Sequence, residues 1–341
     1  MQTHVDLNTV YALGLIVIAA IMNGVYTLPM KLNRLWAWEH SWFAFTIVGV
    51  VVVPTGLAMF TIPELWSIYF SIPIKLLLAL ALFGLGWGIS LVLFGLALNI
   101  VGVAITFAVC LGTSAAAGAL IPLVSQHPES LRTQQGYLIL AGVGLIFLGV
   151  GLCGAAGWWR DQVSKSPVKV VSGSSIRGFL YALLAGALGS LFNVGLAFGG
   201  PIQQAARDRG ASLAMMSTAV WLPCLFAGFI PGIIYCFILM KKNGNLSLLR
   251  AEGTWSYWLT ALCMGILWFG SLTVYAISTT RLGSMGATLG WPLFMSAIVI
   301  TSTLAGAITG EWSRAGKGST GTMVIGVACL IIAMGMLSQA G

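Results

Sequence analysis

Charge is what this sequence has least of. Among 341 residues, 16 are Lys or Arg and 8 are Asp or Glu, which is 7% of the chain. Soluble proteins carry roughly 25%. So few charges cannot coat a soluble fold of this size. Hydrophobic residues make up 58% and mean hydropathy is +0.97. A water-soluble globular enzyme is therefore excluded. Disorder is excluded too, because it needs low hydrophobicity and high charge. A membrane barrel does not fit, since its strands alternate apolar and polar residues and keep hydropathy modest. What remains is a polytopic helical membrane protein.

Other absences narrow the chemistry. The sequence has no HExxH, no P-loop, no GxSxG and no paired acids within an apolar run. Catalysis and ATP coupling lack residues to carry them, and no cofactor is expected. There is no CxxC. Cys110, Cys153, Cys224, Cys236, Cys263 and Cys329 fall in or beside apolar runs and read as reduced packing residues. Met1 to Leu7 has no basic stretch, so the first run is expected to be an uncleaved span. The net charge of +8 suits the positive-inside rule rather than nucleic acid.

What is present is a series of ten apolar runs, at 10–30, 41–62, 75–98, 102–124, 136–157, 177–199, 213–240, 255–279, 285–309 and 320–338. Each is about long enough to cross a bilayer as a helix. The fold expected is an all-α integral membrane protein with ten transmembrane helices. The polar stretch around 158–176 reads as a central cytoplasmic loop between five-span halves, 1–157 and 177–341. Loops after odd spans hold 11 basic residues and loops after even spans hold 5. That bias puts the odd loops in the cytoplasm and both termini outside.

The halves resemble each other. Asn23 lies opposite Asn193 at an offset of 170, and Pro54 opposite Pro223 at 169. In span 3, Gly84, Trp87, Ser90 and Gly102 match Gly265, Trp268, Ser271 and Gly283 of span 8, all at 181. Phe94 meets Tyr275 at the same offset. Gly142, Val143 and Gly151 match Gly326, Val327 and Gly335 at 184. Five spans is an odd number, so the second copy enters the membrane in the opposite sense. An inverted repeat of this kind underlies alternating access in many transporters.

Polar groups at membrane depth mark a candidate pathway. Asn23 and Asn193 can offer amide donors and an acceptor to a hydroxylated ligand, or tie helices together. Tyr26 lies one turn after Asn23. Trp87 with Ser90, and Trp268 with Ser271 and Tyr275, place rings and hydroxyls on repeated faces. Trp291, followed by Pro292, suggests a broken-helix element early in span 9. Thr113 lines the same region if its hydroxyl is not bonded to its own helix. Pro54 and Pro223 are expected to kink spans 2 and 7. No Asp, Glu, Lys, Arg or His falls near the centre of any span. Glu39 before span 2 and Glu311 after span 9 are the acids closest to the membrane, each beside a Trp, and are the proton-coupling candidates.

Four segments carry a family resemblance: NGVYTLPMKLNRLWAWE (23–39), LFGLGWGISLVLFGLALNIVG (82–102), GALGSLFNVGLAFGGPIQQAA (186–206) and GEWSRAG (310–316). They resemble the bacterial L-rhamnose–proton symporter family of the drug/metabolite transporter superfamily. The resemblance runs over roughly 15–338. It implies proton-driven uptake of L-rhamnose or a related neutral sugar across the bacterial inner membrane. It also implies a cavity lined mainly by spans 1, 3, 4, 6, 8 and 9. The alternative is a facilitator or exporter of another small neutral metabolite. The partners expected are a sugar, a proton and the lipid bilayer, with no nucleic acid.

Overall fold

The computed structural model describes residues 7–163, 175–308, 310, 312–313 and 315–340. Glu311 lies outside the described residues. Ten helices are long and apolar enough to cross a membrane: Val10–Leu32, Trp38–Thr61, Ile74–Leu98, Ile105–Gln126, Gln134–Arg160, Ile176–Phe198, Met216–Lys242, Trp255–Arg281, Gly283–Ile308 and Lys317–Ser338. They agree with the ten apolar runs in number and order, and no end moves by more than three residues. No strand occurs among the described residues. In hydrocarbon each backbone group must bond within its own segment, and a helix does this locally. Large apolar side chains such as Leu78, Leu82, Ile234 and Ile238 stay exposed on the outer faces, as lipid contact requires. All six cysteines are free.

Irregularities occur at specific residues. Gly102 has φ 82° and ψ 171°, which only glycine adopts without strain. It separates spans 3 and 4. Span 6 breaks at Ser190, between helices Ser175–Gly189 and Leu191–Phe198. Span 2 opens into a π turn at Val48–Val52, just ahead of Pro54. Proline lacks an N–H, and a wider turn re-registers the carbonyls below it. Span 7 behaves differently and runs as one helix through Pro223 and Pro231. The break expected at Trp291–Pro292 is not there. Span 9 is continuous from Gly286 to Ile308, and its irregular turn lies earlier, at Gly283–Met285. The helix of span 5 continues to Val163, so the central linker begins later than expected. Residues 164–174 of that linker are outside the described residues.

Packing pairs each half with the other. Span 1 lies against spans 8 and 9, and span 6 against spans 3 and 4. Span 7 packs on span 3, span 2 on span 8, and span 5 on span 10. Glycines set the closest approaches. A side chain at Gly84 would strike the Cys224 carbonyl, and one at Gly88 would strike the Gly228 carbonyl. Gly265 meets Gly49 in the same way. Small residues let backbones touch in lipid, where dispersion replaces the hydrophobic effect between helices. Gly88→Ala is therefore expected to lower stability by about 1–3 kcal/mol through overpacking. The melting temperature of the detergent-purified protein reads this directly. An unchanged value would show that spans 3 and 7 can separate without cost.

Candidate functional site

The centre of the bundle is an array of aromatic rings. Trp87 and Trp268, which correspond in the sequence repeat, stack with centroids 5.6 Å apart and planes at 23°. The array extends both ways from this pair. On one side Phe45 meets Trp268 edge-on at 5.8 Å. Beyond it are Trp42 and Trp38, with centroid steps of 5.2 and 5.3 Å. On the other side Phe192 lies 5.2 Å from Trp87, and Trp221 stacks on Phe192 at 5.3 Å and 12°. Tyr26 joins through Phe45 at 5.6 Å. Six spans, numbers 1, 2, 3, 6, 7 and 8, thus contribute rings to one array.

The two asparagines sit in different surroundings. Asn23 is half-buried and donates one amide hydrogen bond to Ser271 Oγ at 3.0 Å. Ser271 in turn donates to the Trp268 carbonyl at 2.6 Å, and Ser90 makes the matching bond to the Trp87 carbonyl. Asn193 is 1% exposed. Its amide donates to the carbonyls of Gly118 and Ala287, both at 3.0 Å. Its Oδ1 accepts from the Tyr275 hydroxyl at 2.6 Å. Asn193 therefore joins span 6 to spans 4, 8 and 9. Nearby, Trp291 Nε1 donates to the Ser114 carbonyl and hydroxyl at 3.1 and 3.2 Å. Gly118 leaves the space that the Trp291 ring fills. Thr113 is half-buried, and its Oγ1 is buried without a partner.

Glu39 is buried, although it stands before an apolar run. It lies in the first turn of span 2 and is 6% exposed. Its Oε1 accepts from Asn243 and Asn245, both at 2.8 Å, in the turn after span 7. His40 is buried beside it. Its Nε2 lies 2.9 Å from the Asn245 carbonyl, which can only accept, so Nε2 carries the proton. Asn33 donates to Ser41 at 2.9 Å and accepts from Thr260 at 2.9 Å. Trp36 Nε1 donates to the Leu248 carbonyl at 2.9 Å. These bonds fasten the start of span 2 and the loop before it to the segment joining spans 7 and 8 and to the first turns of span 8.

Residues 7–340 match the family described as L-rhamnose-proton symport protein (RhaT). The chain belongs to this family. Its relatives include L-rhamnose-proton symporters of Salmonella typhi, 26% identical over 337 residues, and of Escherichia coli O17:K52:H18, 27% identical over 335 residues. Each alignment covers 94% of this chain and 96% of the relative. The family is one of transporters, not enzymes. Ten apolar helices and this membership make the chain a multi-pass inner-membrane protein.

Within this family member, the structure brings Asn23, Trp87, Ser90, Trp268 and Ser271 together at the centre. Tyr275, Asn193, Trp291 and Ser114 form a second group, linked by their own bonds. Sequence reading missed Phe45, Phe192, Trp221 and the Asn243–Asn245 pair. Phe192 had one local signal, its place directly before Asn193. The asparagine pair had none, because its partner Glu39 lies 204 and 206 residues away. Chemically, the central surface offers stacked ring faces with neutral donors and acceptors at the edge. Ring faces suit the C–H faces of a sugar, and amides and hydroxyls suit its OH groups.

Proposed function

We propose that the chain takes up L-rhamnose, or a related neutral sugar, together with protons by alternating access across the bacterial inner membrane. The observation that carries this reading is the family match from residue 7 to residue 340. The central array gives it a physical form. In this reading Trp87 and Trp268 part from the stack seen in this conformation and hold the sugar ring between the halves. Asn23, Tyr26, Ser90, Ser271 and Thr113 offer it polar contacts. Asn193, Tyr275 and Trp291 sit at the edge of the pathway and hold it closed in the conformation described.

The two halves are proposed to be an inverted repeat, 1–157 and 177–341. The exchanged packing supports this: span 1 on spans 8 and 9 mirrors span 6 on spans 3 and 4. Rocking about the Trp87–Trp268 pair would expose the sugar to either side in turn. Glu39 is proposed to carry the coupling proton, with Glu311 as the other candidate. Protonating Glu39 removes the charge from an acceptor of two amide bonds and weakens both. Those bonds tie span 2 to the turn after span 7, so the proton would loosen one contact between the halves.

Transport into proteoliposomes tests the reading. With the outside acidic, L-rhamnose is expected to accumulate inside, and an uncoupler is expected to release it. Equal filling with and without the gradient would leave a facilitator instead. No movement of any deoxy-sugar would end the sugar assignment.

A further inference from the structure

Hydroxyls in this bundle are mostly taken up by their own helices. Thr46, Thr61, Thr106 and Thr273 each donate to the carbonyl four residues back. Two other buried indoles, Trp36 and Trp291, have carbonyl partners. Thr55, Thr113 and, at the start of span 7, Thr218 differ. Thr218 Oγ1 and Trp221 Nε1 are both buried with no hydrogen-bond partner. The two residues are 1% and 0% exposed. Being three apart on one helix, they share a face. Thr218 Oγ1 makes neither the bond to the carbonyl four residues back nor the bond to the carbonyl three residues back that Thr279 and Thr280 make.

Unpaired polar groups are costly in the interior of a membrane protein and call for an explanation. Their location supplies one. Trp221 lies flat on Phe192 at 5.3 Å, and Phe192 meets Trp87 at 5.2 Å, one ring from Trp268. The two unpaired groups therefore stand at the end of the aromatic array. An indole N–H can only donate, whereas a Thr hydroxyl can donate and accept. A hydroxyl group placed between them would satisfy both, its oxygen accepting from Trp221 and its hydrogen donating to Thr218. An ion would find no counter-charge in Trp221, Phe192 or Thr218.

We infer that Trp221 Nε1 and Thr218 Oγ1 form a subsite for one hydroxyl of the sugar, closed over in this conformation and filled when substrate binds. The inference rests on the sugar-uptake reading above. Groups kept unpaired for a ligand have a signature that structural groups lack, since removing them relieves the empty protein and harms the loaded one.

Thr218→Val, close to Thr in shape, is the stability arm. Its melting temperature without sugar is expected to equal or exceed the wild-type value. The shift that L-rhamnose produces is expected to shrink, and KM for uptake to rise about tenfold, the scale of one lost hydrogen bond. Thr218→Ser keeps the hydroxyl and is expected to keep the shift. Trp221→Phe retains a ring on Phe192 but no N–H, and is expected to raise KM similarly with a smaller change in kcat. A lower sugar-free melting temperature for Thr218→Val would show that the hydroxyl has a structural role and would overturn the subsite. So would wild-type KM in Thr218→Val, which decides the matter even if Trp221→Phe does not fold. If the wild-type protein itself gives no shift with L-rhamnose or related deoxy-sugars, the uptake reading falls and the subsite falls with it. If the wild-type responds and the variants respond equally, only the subsite falls.

Discussion

Glu39→Gln is expected to abolish uphill accumulation of sugar while leaving exchange of sugar across the membrane intact. With one proton per sugar, a difference of one pH unit supplies about 1.4 kcal/mol, or about tenfold accumulation. The variant should reduce that ratio to about one. Gln keeps the size of Glu and an oxygen that can accept from Asn243 and Asn245, so the contact between span 2 and the turn after span 7 is held at the strength of the protonated acid. What it lacks is a group that binds and releases a proton. The measurement is labelled L-rhamnose in proteoliposomes, once with an imposed pH difference and once in counterflow without it. Normal accumulation by Glu39→Gln would remove Glu39 from the coupling. Loss of counterflow as well would make it a structural residue. The same pair of assays on Glu311→Gln shows which acid carries the proton.

Asn193→Ala and Asn23→Ala are expected to fail in opposite ways, although the two residues correspond in the sequence repeat. Removing the Asn193 side chain leaves the Tyr275 hydroxyl and the carbonyls of Gly118 and Ala287 without this partner. The Ala287 carbonyl keeps its helical partner, so the cost is that of the Tyr275 hydroxyl and of the Gly118 carbonyl, which faces Pro122, at about 1–3 kcal/mol each. Their sum is a large share of the total stability of about 5–15 kcal/mol usual for a folded protein. Asn193→Ala should therefore melt many degrees lower or fail to accumulate as folded protein. Asn23 gives its amide bond to Ser271, and Ser271 keeps its own bond to the Trp268 carbonyl. Asn23→Ala should change the melting temperature little and slow sugar uptake by more than tenfold. Melting temperature and uptake rate measured side by side separate the two outcomes. Equal destabilisation by both variants would make Asn23 a tie between helices rather than part of the sugar site.

This contrast shows where sequence reading stops. Asn23 and Asn193 could be paired from the sequence, but their surroundings could not. Asn193 finds its carbonyl partners on spans 4 and 9, and its acceptor is taken by a Tyr whose counterpart in the first half is Phe94. That one exchange, Tyr for Phe, removes the hydroxyl that the equivalent contact would need. Ser90 and Ser271 were legible as a pair and remain alike, each bonded to the carbonyl of its neighbouring Trp. Pro292 directly after Trp291 suggests a broken helix. The helix runs through, and the indole instead closes on Ser114 across the interface of spans 4 and 9.

The sequence by itself determined the solvent and the number of crossings. Transfer of a helix into lipid is a sum over residues that are neighbours in the chain, so 20-residue stretches of apolar side chains define spans without reference to anything else. It also set Trp87 against Trp268 at an offset of 181 and Asn23 against Asn193 at an offset of 170. The tertiary structure decided what each of these groups does. It buried Glu39 against two amides more than 200 residues away. It stacked the two tryptophans, and it left Trp221 and Thr218 unpaired beside them. Hydrogen bonds and ring contacts at this depth depend on which spans meet, and glycine contacts such as Gly84 on Cys224 and Gly265 on Gly49 settle that only once the bundle is assembled.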